Sequence, residues 1–243
     1  MASEAYKRII SRYKKALAYY QLIEDGDKIL VGVSGGKDSL LLLELLSGTM
    51  RIHRPAIHVE AIHVRMENIT YETDDAYLKQ FAEECGICLH VVTTSFDPST
   101  DKRKTPCFLC SWYRRKVLFN YAQEHGFNKI ALGHHQDDII HTALMNLLHQ
   151  GQFSSIAPRL KLDKMPLTLI RPLCMVMEKD IQDYALERAF VKQKKVCPYD
   201  RDTRRTDIRQ LFDKIEQMNP EARYSIIHAL HFPKQENESS TTE

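Results

Sequence analysis

Between residues 28 and 150 the chain passes four times from a short, almost unbroken apolar run into a segment of helical length. "KILVGV" (28–33) leads into "DSLLLLELLSG", and "HVEAIHV" (58–64) into "YETDDAYLKQFAEECG". "CLHVVTT" (88–94) leads through a loop into "CFLCSWYRRKVLFNYAQEHG", and "NKIALG" (128–133) into "QDDIIHTALMNLLHQG". Strands that alternate with helices are joined by crossovers, and near-continuous apolar strands are buried on both faces. The pattern predicts an α/β fold, a parallel sheet flanked by helices. Gly86, Gly126 and Gly151 stand where three of those helices should stop, because a residue without Cβ adopts the left-handed helix terminus at little cost.

Around this unit the chain divides further. Ile9, Ile10, Tyr13, Ala16, Leu17 and Tyr20 recur at helical spacing, which predicts an N-terminal helix within residues 1–24. The sheet-bearing unit is expected over 25–190, ending in a helix near 178–190. A basic segment with two helices parted by Asn219-Pro220 is expected over 191–232, and a polar, disordered tail over 233–243. With 243 residues, 43% of them hydrophobic, the chain can bury one sizeable core. It has no run near the ~20 apolar residues of a membrane span, and its charged start is unlike a signal peptide. The expected compartment is therefore the cytoplasm, where six cysteines are unsuited to a disulfide framework and are weighed as metal or redox groups. A net charge of +2 gives no warrant for a polyanionic partner, so the distribution of charge has to decide.

The first strand runs into Ser34-Gly35-Gly36-Lys37-Asp38-Ser39. Ligands of an open parallel sheet bind outside the carboxyl ends of its strands, which is where this loop falls. Two glycines allow close backbone approach, successive N–H groups can cradle anionic oxygens, and the helix that follows adds its dipole. The chemistry is phosphate binding. It is not a Walker A loop, because Asp38 separates Lys37 from Ser39, and it lacks the G-x-G-x-x-G of dinucleotide folds. An acid beside that lysine calls for Mg²⁺ or another phosphate orientation. "SGGKDS" after a strand matches the SGGxDS loop of the PP-loop ATP pyrophosphatases, and the chain resembles that superfamily over about residues 25–210. The resemblance implies cleavage of ATP between the α and β phosphates, with AMP passed to a carbonyl oxygen.

Cys107 and Cys110 open a helix at i and i+3, with both sulfurs on one face near a dipole that favours thiolates. Two ligands do not complete a centre. Cys197, in a basic loop and followed by Pro198, is the best third cysteine, and a zinc site that adds a histidine such as His134 is the alternative. Cys85 and Cys88 straddle a helix end and a strand start and are read as two buried small hydrophobes, and Cys174 likewise as core. "CFLCSWYRR", "GHHQDD" and the late "CP" resemble the tRNA 2-thiocytidine synthetase branch of the superfamily. That resemblance implies a four-iron four-sulfur (4Fe-4S) cluster on Cys107, Cys110 and Cys197, with Ser34, Gly35, Gly36, Lys37, Asp38 and Ser39 at ATP and Mg²⁺. It further implies a tRNA substrate, activated at the C2 oxygen of a cytidine. The sulfur donor is external, a cysteine desulfurase or another carrier, and a homodimer is compatible with the chain.

Gly133, His134, Asp137 and Asp138 follow the fourth strand and share the edge of the ATP loop. Asp137 or Asp138 can join Asp38 on Mg²⁺ or move a proton, and His134 can contact a phosphate or the base. His63, at the end of the second strand, lines the adenine pocket or is a satisfied edge histidine. Arg114, one turn after Cys110, is placed to stabilise an activated oxygen or pyrophosphate, with Arg171 a weaker candidate. His141 and His149, on helix faces, are read as structural. Basic residues flank the cysteines: Arg103 and Lys104 before the pair, Arg115 after it, and Lys194, Lys195, Arg204 and Arg205 around Cys197. These are the expected RNA phosphate contacts, with Trp112 or Tyr113 available to stack on a splayed base.

Overall fold

The computed structural model describes residues 3–52, 54–67, 69–71, 75–97, 105–191, 195–196 and 203–232. Its centre is a six-stranded sheet. The strands are β1 (Lys28–Gly32), β2 (His58–Met66), β4 (Leu89–Thr94), β5 (Lys129–Ala131), β6 (Arg159–Lys161) and β7 (Thr168–Ile170), in the order β4-β2-β1-β5-β7-β6. All neighbours pair in parallel except β6, which runs antiparallel to β7. The expected parallel sheet thus carries one antiparallel edge strand, made possible by the short return through Pro166. A separate two-stranded ribbon joins β3 (Thr70–Tyr71) to β8 (Lys195–Val196), with Thr70 opposite Val196.

Alternation along β1 shows why the strands read as unbroken apolar runs. Ile29 and Val31 enter a core on one face of the sheet and Leu30 enters a second core on the other. The first core is closed by α1 (Glu4–Tyr19), α2 (Lys37–Met50), α3 (Ala76–Glu84) and α6 (Glu178–Glu187). The second is closed by α4 (Pro106–Glu124) through Leu118 and Ala122. Helix α2 lies in the middle, and Leu40, Leu41, Leu42, Leu43, Leu45 and Leu46 are all buried. A helix apolar around its whole circumference cannot slide, so the loop in front of it is fixed. Helix α5 (Gln136–Gln150) carries Ile140 and Leu144 against Ile208 and Phe212 of α7 (Thr203–Met218), with α8 (Ala222–Ala229) beside them.

Gly86, Gly126 and Gly151 have φ of +71°, +71° and +65° at the ends of α3, α4 and α5, as their positions in the sequence predict. The first helix ends at Tyr19, several residues short of its expected length, where Gln21 turns to φ +48°. The 233–243 tail lies outside the described residues. Among the described residues no helix is long and apolar enough to cross a membrane.

One buried ion pair fastens the base of the sheet. Lys129 Nζ lies 2.7 Å from Asp27 Oδ2, and both residues are 3% exposed. Asp27 also accepts from Glu24 N at 2.6 Å and from Asn128 Nδ2 at 2.8 Å. Removing only the acid leaves the buried ammonium the Leu22 carbonyl at 3.1 Å and the exposed Glu24 carboxylate at 3.4 Å, a loss of about 3 kcal/mol, the low end for a broken buried pair. Asp27→Ala should therefore lower the urea midpoint far more than removal of the exposed Lys7–Glu4 pair, and equal shifts would refute this account.

Candidate active site at the carboxyl edge of the sheet

The chain leaves β1 toward β2 and β4 on one side and enters β5 and β7 on the other, so the sheet reverses its order between β1 and β5. This is the switch point at which open α/β sheets hold ligands. Ser34 to Ser39 follow β1 there, and Gly133 to Asp138 follow β5.

The phosphate loop is held by its own serines. Ser39, 4% exposed, donates from its hydroxyl to Gly36 O at 2.9 Å, while Ser34 N donates to Ser39 Oγ at 3.2 Å and Gly36 N to Ser34 Oγ at 3.3 Å. Gly35 sits at φ +80°, a conformation that favours glycine. The role of Gly133 is steric. A Cβ there would lie 3.1 Å from the carbonyl carbon of Asp38, 3.2 Å from its oxygen and 3.2 Å from Ser39 N. The end of β5 therefore touches the first turn of α2, backbone to backbone.

His63 is buried, and its Nδ1 lies 2.7 Å from the carbonyl oxygen of Val33, directly before the loop. Burial pushes its imidazole pKa down, with the nearby charges of Arg114 and Arg65 adding to the effect. Its Nε2 faces Asp75 Oδ1 at 3.8 Å. His63 thus supports the loop from below, and Arg114 approaches it from α4.

Lys37 Nζ bonds Asp38 Oδ1 at 3.0 Å and Glu178 Oε1 at 3.1 Å. Burial disfavours its charge, but these two carboxylates outweigh that and raise its pKa. Glu178 is likewise opposed by burial and held below the usual carboxylate range by Lys37, with Arg209 at 3.1 Å on its other oxygen. Asp137 has both oxygens engaged: Glu178 N donates to Oδ2 at 2.7 Å, and Arg223 donates to Oδ1 at 2.8 Å. Burial works against its charge, and Arg223 more than compensates. Asp138 caps α5, accepting from His135 N at 3.0 Å. His135 Nε2 lies 3.9 Å from Asp38 Oδ1 and 3.5 Å from Asp138 Oδ2, so the two carboxylates flank one imidazole nitrogen.

A cavity of about 430 Å³ opens beside this arrangement, and His134, Asp138, His141, Arg205 and Arg209 are among its lining residues. His134 Nδ1 is buried and finds no hydrogen-bond partner among the described residues. Burial first, and the Arg171 charge second, push its pKa down to about 4. Arg171 itself is buried and donates to Ala157 O. Sequence reasoning missed Glu178 and Arg223, which come from α6 and α8 and belong to no motif, and read Arg209 of α7 only as one of the basic residues around Cys197. It also set aside His141, which lines this cavity.

Cys107 and Cys110 lie in the first turn and a half of α4, the helix after β4, and so on the same sheet edge. Thr105 caps this helix, accepting from Phe108 N at 3.2 Å. Cys107 is exposed, and Cys110 is half-buried against the cluster of Met66, Ile69, Phe96 and Leu109. Trp112, 44% exposed, lies beneath Lys116 Nζ at 5.3 Å from its ring centre. Arg115 Nε bonds the Ser111 carbonyl at 3.2 Å on the exposed face of α4. Cys197, Arg103, Lys104 and Lys194 lie outside the described residues. Lys195 and Arg204 are placed only as members of β8 and α7.

The second cysteine pair departs from expectation. Cys85 and Cys174 are buried, with thiol pKa values pushed up by burial to about 11 and about 12, but Cys88 is exposed. The physical reason is its place: it precedes the edge strand β4, where one side is open to solvent.

A sequence model of the PP-loop domain matches residues 5–214. The chain is 37% identical over 234 residues to the tRNA-cytidine(32) 2-sulfurtransferase of Legionella pneumophila strain Paris, covering 94% of this chain and 82% of that protein. The corresponding protein of Bdellovibrio bacteriovorus is 37% identical over 90% of this chain and 85% of its own length. The chain belongs to the tRNA-cytidine 2-sulfurtransferase family of PP-loop proteins. Among solved structures, the U34-tRNA thiolase NcsA of Methanococcus maripaludis with its [4Fe-4S] cluster superposes with a TM-score of 0.77. That match is 26% identical and covers 93% of this chain and 78% of the other.

For a PP-loop protein the Gly133 contact has a direct consequence. Gly133→Ala puts a Cβ 3.1–3.2 Å from the Asp38 and Ser39 backbone, so the loop must give by a few tenths of an ångström, and misplacement of a reacting centre lowers its rate. The variant should lose pyrophosphate release several-fold. Gly48→Ala, at a helix site with open space around the added carbon, should be silent or slightly stabilising. Equal activity in the two variants would refute the steric account.

His134 provides a pH signature. Its pKa falls from the ordinary 6.5 to about 4, so the unfolded chain binds the proton more readily. The stability tied to the neutral ring is complete above about pH 6.5 and is lost as pH falls toward about 4. Across that window wild type should lose more unfolding free energy than His134→Gln, and parallel curves would refute it.

Proposed function

We propose that this protein is an ATP-dependent tRNA thiolase that replaces the C2 oxygen of a cytidine with sulfur, at position 32 as in the names of its relatives. The observation that carries this reading is the shared sheet edge: the phosphate loop, His134 and Asp138, Arg205 of the basic segment, and the Cys107–Cys110 pair all open there.

The loop amides and the α2 N-terminus bind ATP, while Lys37 meets its phosphates. Asp38 and Asp138 are the acids available for Mg²⁺, since they flank one nitrogen of His135 and neither is held by an arginine. Asp137 acts as a positioning residue, because its oxygens hold Arg223 and the start of α6. The cytidine C2 oxygen attacks the α-phosphate, the bridge to the β-phosphate breaks, and pyrophosphate leaves. A sulfide-level nucleophile then adds at C2, and AMP departs with the former C2 oxygen. Lys37 and Arg114 are the cations available for the developing charge. Neutral His134 is a hydrogen-bonding group rather than a charge at pH 7.

The donor set fits an iron–sulfur centre. Cys107 and Cys110 project from adjacent turns at a helix start, one exposed and one half-buried. Val196 pairs with Thr70, next in sequence to Ile69, which packs in the cluster that borders Cys110. Cys197 follows Val196, which supports it as the third ligand. Cys107, Cys110 and Cys197 would hold a [4Fe-4S] cluster, which would supply sulfur-handling chemistry beside the nucleotide. The basic residues Arg103, Lys104, Arg115, Lys194, Lys195, Arg204 and Arg205 are proposed to contact tRNA phosphates.

Asp38→Ala should abolish tRNA-dependent pyrophosphate release, whereas unchanged release would remove the loop from the chemistry. Cys197→Ala should lose iron and acid-labile sulfide, and Cys85→Ala should keep both. A mass-spectrometric inventory of tRNA thionucleosides should lose 2-thiocytidine when the gene is deleted. Loss of a thiouridine instead would favour the uridine reaction of the NcsA neighbour.

A further inference from the structure

At the opposite, amino-terminal edge of the sheet lies a group of side chains that ATP and sulfur chemistry leave unused. His58 and Glu60 are two residues apart on β2, and Cys88 and His90 two residues apart at the start of β4. Side chains two apart on a strand share a face, and Ala61 N bonds Cys88 O at 2.9 Å, so these strand starts lie side by side. One carboxylate oxygen of Glu60, a His90 ring nitrogen and the Cys88 sulfur all lie within 4.8 Å of one another. His58 Nε2 lies 2.8 Å from Glu60 Oε1, and His90 Nε2 lies 2.5 Å from Oε2.

We propose that Glu60, Cys88 and His90, with His58 as fourth ligand, form a second metal site that takes Zn²⁺. One sulfur, two imidazole nitrogens and a carboxylate are the donor types that zinc accepts in a tetrahedron. Bonds of about 2.0–2.3 Å put tetrahedral donors roughly 3.3–3.8 Å apart; donors of Glu60, Cys88 and His90 already lie within 4.8 Å of one another, and His58 joins them through its contact with Glu60 Oε1. A thiolate and a carboxylate together neutralise the dication, so Lys28, in the wall of the same cleft of about 470 Å³, adds no unbalanced repulsion. The surroundings orient the ligands: the His90 ring packs on Tyr121 at 5.2 Å, and Tyr121 stacks on His125 at 3.9 Å.

This site is separate from the cysteine pair of the thiolation reading and does not rest on that reading. Helix α4 has 19 residues and at 1.5 Å per residue spans about 28 Å, with Cys107 at its start and Tyr121 and His125 at its far end. A metal here would tie the edge strand β4 to β2.

The test uses the full chain with its iron centre loaded, so that zinc cannot enter the Cys107–Cys110 site. Zinc chloride is added, the protein is desalted, and zinc and iron per chain are measured by mass spectrometry beside affinity against a chromophoric chelator. Wild type should keep about one zinc per chain, and Cys88→Ser and His90→Ala should each bind it at least tenfold more weakly, with iron unchanged. Cys88 is exposed, so its variant does not put the fold at stake. No retained zinc in wild type, equal retention in both variants, or iron lost together with zinc in Cys88→Ser would each overturn the proposal.

Discussion

The contact of Gly133 with the backbone of Asp38 and Ser39 is the constraint on which the site depends. It fixes the distance between the two loops that flank the switch point, and no side chain can be inserted to widen it. On one side of the contact α2 is buried around its circumference, so the loop cannot retreat. On the other, β5 is bonded to β1 and β7. The phosphate cradle is therefore as rigid as the sheet, and an anion entering it meets amides that need no reorganisation.

A chain of paired charges carries that rigidity outward. Arg223 of α8 holds Asp137, Asp137 caps the start of α6, and Glu178 at that start holds both Lys37 and Arg209. Lys37, Asp137, Glu178 and Arg223 are each opposed by partial burial and kept charged by their partners, so removal of one weakens the hold on its neighbour. The C-terminal helices are in this way coupled to the ATP loop. Arg205 occupies the cavity wall because α7 is held there by Phe212 and Ile208 against α5.

Sequence made legible whatever depends on local pattern. The double-sided burial of β1, visible as "KILVG", already implied helices on both faces, and "SGGKDS" specified its own serine network. The antiparallel β6 was not legible, since three-residue strands carry no period. Glu178 and Arg223 were not legible either, because an acid at one helix start and an arginine in another helix acquire meaning only when packing brings them to Asp137. Cys88 was misread for a related reason: a C-x-x-C spacing says nothing of which residue meets solvent, and the edge position of β4 decided it. Cys197 lies outside the described residues, so its place rests on β8 and the cysteine pair.

An acid directly after the loop lysine raised the question of how a triphosphate could be tolerated. The answer is in the pairing. Asp38 and Glu178 share Lys37, Arg209 takes the second oxygen of Glu178, and Arg223 takes Asp137, so most of the acid in the crevice is already matched by a cation. Asp138 and the outer lone pairs of Asp38 are what remain for a divalent ion. Glu216 also holds Arg223, and Mg²⁺ on Asp38 and Asp138 would cancel the remaining negative charge at the point where the phosphates arrive. The field that attracts ATP would then come from a balanced network plus one metal ion, so a chain of net charge +2 needs no large basic surface for its nucleotide.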